Sequence, residues 1–136
     1  NFDIRDNLGE MASEIQDACE AVKREDNGVF IWVTICDGIR STRPWIRELK
    51  EKEVAFDGVA LHNVFTVPPG REETFLKSKL KGAKKWFPEK DVALSGFYGE
   101  APYRSRRMSA SRVNRLIDIC KEVGFSQVWH MRQELK

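Results

Sequence analysis

Apolar residues at Leu8, Met11, Ala12, Ile15, Ala18, Cys19 and Val22 recur at steps of three and four, which predicts an amphipathic helix over residues 6–25 with one buried face. Asp26-Asn27-Gly28 is a turn signal. The near-continuous apolar run from Val29 to Cys36 then predicts a strand buried on both faces, and so central in its sheet. Ser41 or Thr42 offers an N-cap and Pro44 a first helical position, opening a helix to about Val54 with Trp45, Ile46 and Leu49 inward.

The same alternation continues to the end of the chain. Val59 to Val67 predicts a strand, stopped by Pro68-Pro69-Gly70, and Arg71 to Phe87 a helix with Phe75, Leu76, Leu80 and Ala83 inward, ended by Pro88. Val92 to Tyr98 predicts a third strand, and residues 99–108 a loop. Ser109 caps a helix with Val113, Leu116, Ile117, Cys120 and Val123 inward, which Gly124 ends before a last strand over Phe125 to Met131. A short strand at Phe2 to Arg5 is also expected. The expected fold class is therefore α/β, with mixed α+β as the alternative: helices and short strands alternate around one central sheet in a single domain over residues 1–136.

Composition agrees with a folded chain. At 136 residues, with four Trp and eight Phe, it can bury a core, and its longest apolar run is strand-length, so no membrane span is expected. Cys19, Cys36 and Cys120 are far apart, with no Cys-x-x-Cys spacing, which points to a reducing, cytoplasmic setting. His62 and His130 are isolated from them, so no metal site and no cofactor are expected. The chain opens on Asn rather than Met, without a leader pattern, and reads as a piece of a cytosolic protein with residues missing upstream.

Charge changes the picture because it is uneven. Residues 1–67 carry 13 acidic and 8 basic side chains, whereas residues 68–116 carry 12 basic and 5 acidic ones, interleaved with aromatic rings. A basic surface over residues 71–115 suits a polyanion. Lys77, Lys81, Lys84 and Lys85 form a like-charged ridge on the third helix, with Trp86 at its end as a stacking ring. Tyr103, Arg104, Arg106, Arg107, Arg112 and Arg115 gather around a helix start, where exposed N–H groups favour phosphate, and Arg40 and Arg43 make a smaller cluster at another. The plain alternative is a solvated lysine face, with arginines paired to carboxylates.

Enzymatic chemistry finds less support in the residues. Cys36 precedes Arg43 by seven positions, one more than the cysteine-phosphatase loop needs, and reads as a buried strand-end thiol. His62 and His130 read as packing residues. Asp37, Asp57 and Glu100 are the candidates for a metal-dependent nuclease, on a spacing that matches no motif. Phosphate-loop, dinucleotide and serine-hydrolase signatures are absent from the sequence.

Several short segments together resemble the phage lambda NinB (Orf) recombination-protein family. They are Phe2-Asp3-Ile4-Arg5, Ile31-Trp32-Val33-Thr34-Ile35 with Arg40-Ser41 beyond it, Val64-Phe65-Thr66, and Ser105-Arg106-Arg107-Met108, in family order. The chain departs from the family in having Arg43-Pro44-Trp45 where a Gln-Asn follows the Arg-Ser, and in its lysine-rich third helix. The resemblance implies a mixed α/β homodimer that binds single-stranded DNA and assists recombination without catalysis, and it carries over Arg40, Ser41, Arg106 and Arg107. The expected function is thus nucleic-acid binding, single-stranded DNA before RNA, in a recombination or replication accessory factor with no catalytic residues. An adaptor docking an acidic protein is the first alternative, and a metal-dependent phosphodiesterase or nuclease the second.

Overall fold

A computed structural model describes residues 4–36, 42–62, 67–95 and 109–129. Helices and strands alternate as α1 (Ile4–Glu25), β1 (Trp32–Cys36), α2 (Thr42–Glu51), β2 (Gly58–His62), α3 (Glu72–Trp86), β3 (Asp91–Ser95), α4 (Ala110–Val123) and β4 (Gln127–Trp129). The strands form one parallel sheet in the order β1-β2-β3-β4. The fold class is α/β, as the alternating periodicity predicts.

The chain divides into two units, residues 1–33 with 38–58 and residues 34–37 with 59–136. In the first, α1 packs on α2. The buried stripe of α1 is Leu8, Ala12 and Cys19, narrower than the apolar spacing predicts, since Met11 and Val22 are exposed. Ile46 and Leu49 supply the buried side of α2, with Trp45 half-buried. Asp57 closes the unit: Lys23 Nζ donates to its Oδ2 at 2.8 Å and to Val29 O at 2.7 Å, and Ile31 N donates to the same Oδ2 at 2.8 Å.

In the second unit α3 and α4 lie against each other, and β3 pairs with β4 in register Ala93 to Gln127 and Ser95 to Trp129. Leu61, Val92 and Leu94 meet Leu76 and Ala83 of α3 and Leu116 and Cys120 of α4 in one apolar cluster. Each of these side chains is almost fully buried, and such burial stabilises by roughly 1.5–3 kcal/mol for each large aliphatic. Ser109 caps α4 by accepting from Arg112 N at 3.2 Å, and Gly124 ends it in the left-handed region at φ 119°.

Two expectations are corrected. Ile4 and Arg5 begin α1 rather than a strand. β1 is the first strand in the sheet order, not a central one, because only Val33 and Ile35 are buried while Thr34 is exposed; Val29 and Phe30, which made the run look continuous, precede the strand and are exposed. Of the expected strand Val59 to Val67 the structure describes Gly58–His62; residues 63–66 lie outside the described residues, and Val67 is buried in the apolar cluster. Among the described residues no helix is long and apolar enough to cross a membrane.

Candidate functional site

The basic constellation is only partly a surface. Arg112 stands half-buried, donating from Nη1 to Glu72 Oε1 at 2.5 Å and from Nη2 to Val67 O at 3.3 Å. Glu72 is 4% exposed, and the Arg112 hydrogen bond, with backbone N–H donors beside it, lowers its carboxyl to about 2. A guanidinium so engaged holds α4 to α3. Lys84 Nζ donates to Lys90 O at 2.7 Å, closing the turn after α3, and Trp86 packs against the apolar cluster. These three residues have structural partners in the fold.

Lys77, Lys81 and Lys85 do share an exposed stripe of α3 at steps of four, and Arg43 and Arg115 are exposed elsewhere. Lys77 meets Glu73 at 3.0 Å in a solvated pair. Arg40, Tyr103, Arg104, Arg106 and Arg107 lie outside the described residues. For the nuclease reading, Asp57 is held by Lys23 and Ile31 N at the amino end of β2, while Asp37 and Glu100 also lie outside the described residues. Among the described residues no cluster of three His, Cys, Asp or Glu could hold a metal ion.

The sheet brings together residues that the sequence reading kept apart. Gly58 N donates to Ile31 O at 3.1 Å, and the Trp32 ring lies over Gly58, so Trp32 and Gly58 are neighbours on one face. Continued along the parallel ladder, this register sets Thr34 beside Ala60 and Cys36 beside His62, on strands roughly 4.8 Å apart. Because alternate residues point to opposite faces and Leu61, Val92 and Leu94 point to α3 and α4, the other face carries Ala60 and His62, Ala93 and Ser95, and Gln127 and Trp129. Thr34 and Cys36 join them on that face.

Towards the carboxyl ends of the strands this face carries Cys36, His62, Ser95 and Trp129, the last described residues of four neighbouring strands, and all four are half-buried. Trp129 Nε1 donates to Gln127 Oε1 at 2.9 Å, which fixes the indole beside Ser95. A thiol, an imidazole, a hydroxyl and an aromatic ring thus occupy one edge. The other two cysteines differ. Cys19 and Cys120 are buried, and burial pushes both thiols up, Cys120 to about 12. Sequence spacing hid this arrangement because Cys36 and His62 belong to different strands.

No protein-family model matches the chain, and neither the curated proteins nor the solved structures hold a match.

Proposed function

We propose that the chain binds a small polar molecule at the carboxyl edge of its sheet, through Cys36, His62, Ser95 and Trp129. The observation that carries this reading is the sequential order of four parallel strands, which run side by side in chain order without a reversal. In parallel β/α barrels, whose strands also run in chain order, residues at the carboxyl ends of the strands form the site. That rule is an analogy of architecture, and the residues supply the chemistry. Helices α3 and α4 each begin after a strand's carboxyl end, so their N-termini favour negative charge on the ligand. A fragment screen by thermal shift tests the reading: ligands that raise the melting temperature of the wild-type chain should lose that effect in Ser95→Ala and Trp129→Ala. Hits that stabilise the variants as well as the wild type would contradict it.

The exposed stripe of Lys77, Lys81 and Lys85 supports a second reading, binding of single-stranded nucleic acid as an accessory factor. The binding is electrostatic, and three neutralised phosphates give a slope of about −2 in log K against log salt for single strands. Anisotropy of labelled single-stranded DNA at two salt concentrations measures it, and salt-independent binding, or none at low salt, would refute it.

A further inference from the structure

We propose that α1 carries a docking surface for an amphipathic helix of a partner protein, one with lysines or arginines beside its apolar positions. The surface lies wholly in the first unit and is independent of the ligand edge. Met11 is 47% exposed and Val22 40%, and with half-buried Ile15 and exposed Ala18 they stand at i, i+4, i+7 and i+11, one apolar stripe along the helix. At 1.5 Å per residue it is about 16 Å long. It runs beside the stripe of Leu8, Ala12 and Cys19 that packs inward. Among the described residues α2, α3 and α4 expose no large apolar side chain. Apolar anchors at this spacing are how one helix receives another laid along it, and a methionine adapts to the shape it meets.

Charge sets the chemistry of the occupant. On the side of the stripe away from Leu8, Ala12 and Cys19, α1 exposes Glu10, Glu14 and Glu25, with Asp17 beyond them, and no Lys or Arg lies between Gly9 and Val22. Glu10, Glu14 and Asp17 follow at steps of four and three, like charges that repel one another on a helix face and that a cationic neighbour relieves. A second copy of the chain does not supply that neighbour. Pairing α1 with its own copy sets acidic rim against acidic rim, and the exposed lysines of α3 have no exposed large apolar residue among them. A helix with basic flanks meets both demands: its apolar side chains cover Met11 and Val22 while its cations face Glu10 and Glu14.

The test uses a fluorescein-labelled helical peptide with leucines at i, i+4, i+7 and i+11 and lysines beside them, and a counterpart with glutamates in place of the lysines. Anisotropy at low salt should show the lysine peptide binding at least about tenfold more tightly than the glutamate one, and added salt should narrow the gap. Met11→Ser with Val22→Ser, two exposed positions whose change leaves the core intact, should weaken the lysine peptide at least about tenfold, whereas Lys81→Ser should not. Amide shifts of the wild-type chain, which need no variant, should centre on Met11 to Val22. Equal affinity for the two peptides, no binding of the lysine peptide, or shifts centred outside α1 would overturn the proposal. So would a dimer in light scattering that the same double substitution dissolves, since a second copy would then cover the stripe.

Discussion

Arg112 of α4 donates to the buried carboxylate of Glu72 in the first turn of α3, forty positions earlier in the chain. The pair joins two helices of one unit at the point where each begins, and Arg112 also reaches Val67 O. Removing Arg112 leaves Glu72 buried without its main donor, which is more damaging than losing a surface charge. Arg112→Ala should therefore lower the melting temperature more than Lys81→Ala or Arg115→Ala. Thermal denaturation followed by circular dichroism checks this, and equal effects of the three would contradict it.

The same pair sets an acid response. Glu72 titrates near 2 in the folded chain, below its ordinary value of 4.5, so its ionised form contributes stability above about pH 4.5 that is lost as pH falls towards 2. Glu72→Gln should flatten the fall in stability across that window and leave its shape above pH 5 unchanged. Urea unfolding at pH 7, 5 and 3 measures this. A variant with the wild-type slope between pH 5 and 3 would contradict the assignment.

Gly58 is where backbone and ring meet. A Cβ there would lie 2.4 Å from Cζ3 of Trp32 and 2.9 Å from a ring carbon of Phe30. Gly58→Ala should cost about 1–3 kcal/mol through overpacking, measured by chemical denaturation. Truncating the ring as well, in Gly58→Ala with Trp32→Ala, should make the added methyl less costly than it is in the wild-type background. Additive effects would show that the contact is not what excludes a side chain.

Ser109 is expected to contribute about 1 kcal/mol as the N-cap of α4. Ser109→Ala should cost that amount and Ser109→Asp little, since aspartate accepts the same Arg112 N–H. Equal losses in both would contradict the cap.

Local patterns carried much of the fold. The apolar spacing of Leu76 and Ala83, the Ser109 cap and the Gly124 stop each act within a turn or two, so they are readable without knowing what lies opposite. β1 was misread because its apolar run joins two environments, and only the sheet order separates exposed Val29 and Phe30 from buried Val33 and Ile35. The basic residues pose a related problem. Charge in a sequence does not say whether Arg112 faces solvent or Glu72, nor whether Lys84 meets a phosphate or the carbonyl of Lys90. Asp57 likewise looked available and is held by Lys23 and Ile31 N. Cys36 and His62 became neighbours only through strand pairing, which links residues distant in sequence.

The central claim is that the carboxyl edge is where the chain meets its ligand. Amide chemical-shift mapping with the strongest stabilising fragment tests it most directly, because it reports where binding occurs without a variant. The account predicts the largest shifts at Cys36, His62, Ser95 and Trp129, with Asp57 and Asp91 at the amino ends unmoved. Shifts centred on the amino ends of the strands, or on the exposed lysine stripe of α3, would contradict it.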